Sequence, residues 1–353
     1  MTLYIGVDLH PHQQTVAWCD TSTGETGIET IVHDLGKVKE FYSSFGEPAV
    51  IGIEASSPAL WFEEMLSALG HTLLVGDPFK IRRSATSRHK NDRRDAELIL
   101  ELLLKGDFPA IWRRSPEQNR ILEILRLRAK LVGQRTAVYN RLQALAHSVG
   151  LPKGKMRNVG VQNRLKAVEL DEAGALQRDH LFSLLETQSG HILEFEKWLR
   201  KKAEGDPAVQ LLTSQKGVAY LTALAVVNTL GDVSRFENVP KQVTNFIGYD
   251  PRDDSSAGRR KFGSITKAGS PLVRFLVGQA AQTAIRYDPK LKSFHKRLSR
   301  RKHKAVAKTA TARKLLVKLS IMLRDNISAE EFDRRGRTVG DARRSARPEM
   351  VAA

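Results

Sequence analysis

The chain has 353 residues, 41% of them hydrophobic, enough for two or three ordinary domains with cores of their own. Its 57 Lys and Arg against 39 Asp and Glu leave a formal net charge of +18, a field that attracts polyanions, nucleic acid first among them. The one cysteine, Cys19, excludes an internal disulfide and a multi-thiolate zinc site, no apolar run reaches membrane-spanning length, and the start lacks a signal-peptide pattern, so a cytoplasmic protein is expected.

The first elements alternate in type. Residues 3–7 form an apolar strand pattern ending at Asp8, with weaker strands at 15–19 and 30–32 and a helix at 37–45. A second apolar strand at 49–53 ends at Glu54, and a helix over 58–69 has Pro58 near its first turn and Gly70 as its stop. A strand at 72–75 and a helix from Asp92 to Leu104, closed by Gly106, complete residues 1–108 as an α/β domain with a mixed sheet.

Ser115-Pro116-Glu117 starts a long helix with a cap, an N1 proline and an acidic first turn, running to about residue 149. A stretch at 180–204 is its candidate return arm, across a basic loop at Pro152-Lys153-Gly154-Lys155. Residues 109–205 thus read as a coiled coil, a long antiparallel hairpin or a simple helical bundle. Residues 206–325 read as a mostly helical domain, with apolar helices at 221–230 and 271–286 and a polar Gly- and Ser-containing loop from Gly248 to Thr266. Asp288 is the only carboxylate between Arg286 and Arg324, and residues 290–324 are expected to form a basic helix against nucleic acid. Residues 326–353 have little apolar content and are expected to be a disordered tail. The fold class is α/β followed by α.

Four acids stand out. Asp8 and Glu54 end the two strongest strands, where α/β sheets bind ligands, and Asp92 and Asp95 share one face of a helix, beside Lys90. Each has an ordinary reading as well: a turn cap, a helix-entry acid, or first-turn acids favoured by the helix dipole and balanced by Arg93 and Arg94. If the helix packs over the strand ends, the four carboxylates converge and need cations to neutralise them. Oxygen donors select Mg²⁺ or Mn²⁺. His10 and His12 invite a metal reading too, but a lone His-x-His reads better as solvated histidines.

Asp8 in Ile5-Gly6-Val7-Asp8, Glu54 in Ile53-Glu54-Ala55, and Lys90-Asn91-Asp92-Arg93-Arg94-Asp95-Ala96 together resemble the DEDD transposases of insertion sequences. This is the one-ten family of bacterial insertion elements, related to the pilin-gene invertases. Gly248-Tyr249-Asp250-Pro251, Ser255-Ser256-Ala257-Gly258 and Gly263-Ser264-Ile265-Thr266-Lys267-Ala268-Gly269 resemble the family's second domain in order and spacing. The resemblance implies an RNase H-like (RuvC-like) N-terminal domain and a C-terminal transposase domain, on either side of the helical middle. It implies that Asp8, Glu54, Asp92 and Asp95 hold the metal and that Ser256 is the nucleophile, with Ala257 standing where the family usually has Gly. Lys90, Arg259, Arg260, Lys261, Lys267 and Arg274 are then expected to hold nucleic acid. The partners implied are donor and target double-stranded DNA, a structured non-coding guide (bridge) RNA, and further copies of the chain as a dimer assembling to a tetramer. The setting implied is bacterial and nucleoid-associated, with no membrane.

Three competing readings remain. A metal-dependent junction-resolving nuclease would use water and would not need Ser256. An actin-like ATPase or sugar kinase needs a Gly/Thr-rich turn after the first Asp, where this chain has Leu9-His10-Pro11-His12-Gln13. A non-catalytic RNA-binding scaffold leaves the four acids without a purpose.

Overall fold

The computed structural model describes residues 3–55, 60–84, 91–253 and 262–336. The chain divides into two compact units, Met1–Pro116 and Glu117–Ala353.

The first unit is built on a five-stranded sheet of order β3-β2-β1-β4-β5: β1 (Leu3–Leu9), β2 (Gln13–Asp20), β3 (Thr26–Val32), β4 (Ala49–Glu54) and β5 (Thr72–Gly76). β1–β2 and β2–β3 pair antiparallel, and β1–β4 and β4–β5 parallel. Alternation sorts the side chains. Leu3, Ile5 and Val7 of β1 and Ala49, Ile51 and Ile53 of β4 bury one face against Val38 and Tyr42 of α1 (Leu35–Ser43) and Phe62 and Leu66 of α2 (Leu60–Ala68). The opposite face is covered by α3 (Pro78–Ser84) and α4 (Asp92–Leu104), through Ile81, Ile99, Leu102 and Leu103. Gly6 and Gly52 lie on this second face. A Cβ on Gly6 would stand 2.3 Å from the Ala96 carbonyl oxygen, and one on Gly52 would stand 2.9 Å from both Ile99 and Leu103. The missing side chains let α4 lie close on β1 and β4, backbone to backbone at Gly6 and through Ile99 and Leu103 at Gly52.

α3 is absent from the sequence reading, although its start was legible: Asp77 Oδ1 accepts from the Phe79 and Lys80 amides, and Pro78 follows at N1.

In the second unit, α5 (Pro116–Ser148) and α7 (Glu172–Glu204) each have 33 residues and run antiparallel, joined through the short α6 (Val159–Lys166). Lys202 donates to Glu117 at 2.7 Å, Arg128 pairs with Glu196, and Val138, Leu142 and Leu185 share a small core with Leu165 of α6. α7 starts eight residues before the expected 180, because Asp171 caps it by accepting from the Gly174 amide.

The larger core gathers Ile121, Leu122 and Leu125 of α5 and Leu199 and Ala203 of α7 with the helices that follow. These are α8 (Pro207–Thr213), α9 (Tyr220–Leu230), α10 (Val239–Ile247), α11 (Pro271–Tyr287), α12 (Pro289–Ser299) and α13 (Lys304–Asp325). The loop expected from Gly248 to Thr266 contains a two-stranded antiparallel ribbon, β6 (Pro251–Asp253) and β7 (Phe262–Ile265). The expected single basic helix at 290–324 is two helices, and α13 restarts where His303 Nδ1 accepts from the Ala305 amide. Of the tail expected to be disordered, residues 326–336 are ordered, and 337–353 lie outside the described residues. Residues 329–336 are helical, Ile327 and Ala329 are buried in the core, and Asp333 meets the buried Lys318 at 3.1 Å. A short run with one apolar side chain per turn carries too little hydrophobic signal to be read without the partner surface that covers it.

Candidate metal centre and active site

Register brings the first two acids together. Val7 pairs with Ile53 in parallel, so Asp8 and Glu54 are the next residues on neighbouring strands, on the side that α4 covers. Asn91 Oδ1 accepts from the Arg93 amide and starts α4, which leaves Asp92 and Asp95 in its first turn. Because α4 rests directly on Gly6, that turn stands beside Asp8.

Within this arrangement, one oxygen of Asp8, one of Asp92 and a ring nitrogen of His10 lie within 4.8 Å of one another. His10 Nε2 is 3.1 Å from Asp8 Oδ2 and 3.6 Å from Asp92 Oδ2. The turn between β1 and β2 holds His10 there, its amide donating to the Gln13 carbonyl at 2.9 Å. Burial raises the Asp8 carboxyl above its ordinary value, with the charges of Asp95 and Asp92 adding to the rise and His10 opposing it. A half-buried carboxylate crowded by two others is a donor set that a divalent cation fits, because the cation supplies the charge the cluster lacks. Glu54 is turned to a different partner, Arg82 Nη2 at 3.5 Å.

The sequence reading weighed His10 as a metal ligand and set it aside as a solvated histidine. Its signal was spacing alone: it stands two residues after Asp8, just beyond the end of β1, where the alternation of a continued strand would return a side chain to the same side. The expected nucleophile Ser256, its neighbour Ser255, and the expected binding residues Lys90, Arg259, Arg260 and Lys261 lie outside the described residues. Lys267 holds a left-handed backbone at φ 57° and lines a cavity of about 280 Å³ with Tyr249, Arg274 and Lys308. Arg274 Nη1 donates to the carbonyls of Ile247 and Gly269, at 2.7 and 3.0 Å, so its guanidinium also fastens α11 to the end of α10. Lys296, Arg297, Arg300, Arg301, Lys302 and Lys304, around the α12–α13 junction, are all exposed. No described helix is long and apolar enough to cross a membrane.

Comparison with known proteins finds two family matches along the chain. Residues 5–149, which include all four acids, match a transposase family of the DEDD IS110 type, and residues 209–296 match the transposase IS116/IS110/IS902 family. The chain is 27% identical over 256 residues to a "Probable family 20 transposase" of Pseudomonas aeruginosa, covering 71% of this chain and 75% of that protein. It is 28% identical over 204 residues to the "Transposase for insertion sequence element IS1111A" of Coxiella burnetii, covering 56% of each. With the two domains matched in this order, and with the acids of the first at the strand ends and helix start, the chain belongs to the IS110/IS116/IS902 family of insertion-sequence transposases.

Proposed function

We propose that this transposase exchanges DNA strands through a covalent bond to Ser256, at a site where Asp8, Glu54, Asp92 and Asp95 hold a divalent cation, Mg²⁺ or Mn²⁺. The observation that carries the reading is the gathering of Asp8 and Asp92 about one point, with Asp95 and Glu54 beside them on the same α4–sheet face. Bound metal would neutralise the cluster and stabilise charge on a phosphodiester during displacement. Asp8 and Glu54 fix two donors from the sheet, and Asp92 and Asp95 fix two from a capped helix start, so the donor geometry is set before substrate arrives.

Ser256 Oγ forms a bond to phosphorus as the bond from phosphorus to the 3′ oxygen breaks. The hydroxyl proton ends on the released 3′ hydroxyl. Attack by the 3′ hydroxyl of another strand reverses the step, transferring the DNA without an external energy source. Lys267 and the exposed cations of α12 and α13 hold the DNA backbone. A structured guide RNA supplies sequence choice by base pairing while the protein reads shape and charge, and two dimers assemble on the two duplexes.

The test is a denaturing gel of labelled donor and target DNA, the RNA transcribed from the element's own flank, Mg²⁺ and protein. A DNA–protein adduct present in wild type and lost in both Ser256→Ala and Asp8→Ala is the expected result. Cleavage without an adduct, unchanged in Ser256→Ala, would instead favour a hydrolytic, junction-resolving nuclease.

A further inference from the structure

We infer that His10 is a nitrogen ligand of the divalent cation and turns the site toward first-row transition ions such as Mn²⁺, away from Mg²⁺. The inference rests on the metal reading of the acids and adds a donor to it. Neighbouring donors on an octahedral ion with bonds of about 2.1 Å lie about 3.0 Å apart. His10 Nε2 and Asp8 Oδ2 already stand at 3.1 Å, and Asp92 Oδ2 completes the group at 3.6 Å from the same nitrogen. All three donors come from backbone that is tied down. Asp8 is in β1 and pairs with Thr15, His10 is fixed by the turn to Gln13, and Asp92 is fixed by the Asn91 cap.

Exposure is graded in a way that suits a working metal site. The Asp8 side chain is 16% exposed, while those of His10 and Asp92 are 39% and 46% exposed, which leaves one side open to water and to a phosphate oxygen. Mg²⁺ is held by oxygen and parts with water reluctantly, whereas imidazole suits the transition ions. A donor set of two carboxylates and one imidazole therefore separates the two classes, as four carboxylates would not. Two of the four acids lie outside this trio: Glu54, which pairs with Arg82, and Asp95.

The experiment uses the full chain with Mn²⁺ alone, read by electron spin-echo envelope modulation of the bound ion and by competition with Mg²⁺. Modulation from a directly bound ¹⁴N nucleus is expected in wild type and absent in His10→Gln. In that variant Mn²⁺ affinity falls about tenfold, and preference over Mg²⁺ falls with it. His10→Asp, which keeps a donor of another type, should retain Mn²⁺ without nitrogen modulation. A wild type that binds Mn²⁺ without ¹⁴N modulation, or modulation that survives in His10→Gln, overturns the role of His10 and leaves the acid site standing. Failure of the wild type to bind Mn²⁺ at all overturns both.

Discussion

The amide nitrogen of Leu100 lies 2.4 Å from where a Cβ on Gly6 would begin, so at this point strand β1 and helix α4 meet backbone to backbone. Gly6→Ala forces the helix outward, since the obstacle is main chain and cannot rotate away. We expect a loss of about 1–3 kcal/mol from this overpacking. Metal affinity should fall by more than stability does, because the displaced helix carries Asp92 and Asp95. Parallel thermal unfolding and Mn²⁺ titration check this, and unchanged Mn²⁺ affinity would separate the packing from the site.

Asp8→Asn should make the metal-free protein more stable while removing its response to divalent ions. Asp8 has a raised carboxyl value in the fold, so the folded state holds that proton more tightly than the unfolded chain does. Its ionisation therefore subtracts stability as pH rises from the ordinary value of 3.8 through the raised one. Urea unfolding in chelator across that range should show this slope in wild type and its loss in the variant.

How much of this was readable in advance follows from the range of each signal. The positions of Asp8, Glu54, Asp92 and Asp95 were legible because each ends or begins an element, and periodicity and capping are local. The convergence of Asp8 and Asp92 needs two glycines on separate strands facing one helix, a non-local fact that no window contains. His10 was discounted because a polar residue beyond a strand end gives no sign of its neighbours. The β6–β7 ribbon was read as loop because three- and four-residue strands fall below any repeat of alternation.

Lys318→Met should cost about 3–5 kcal/mol, the range for removing one partner of a buried ion pair. Lys318 is 6% exposed and lies 3.6 Å from Asp288 and 3.1 Å from Asp333. Burial works against ionisation of Asp288, but the Leu291 amide, the Gln215 side chain, Lys318 and the Lys290 amide outweigh it and hold the carboxyl below its usual value. The stability this confers is present above the ordinary value of 3.8 and disappears as pH falls through the depressed one. Asp288→Asn should therefore flatten the acid limb of the unfolding profile.

Replacing Arg300, Arg301 and Lys302 together by Ala should weaken duplex binding uniformly across sequences. If each side chain contacts a phosphate, the slope of log affinity against log salt falls by about 0.9 per residue, close to 3 in all. Titrations at several salt concentrations on unrelated duplexes measure it. A change confined to one sequence would assign these cations to base reading.

The paired arms of α5 and α7 also set a reach. From Leu125, the last α5 residue in the large core, to the end of the helix at Ser148 is about 35 Å at 1.5 Å per residue. That is about one turn of B-form duplex, roughly ten base pairs. Beyond it, residues 150–168 contain Lys153, Lys155, Arg157, Arg164 and Lys166 and no carboxylate. A straight duplex lying along the arm would present the same face at the arm's root and at this basic tip. The footprint of such a complex would show two protected patches one helical repeat apart, and shortening both arms by a heptad would draw them together by about 10 Å.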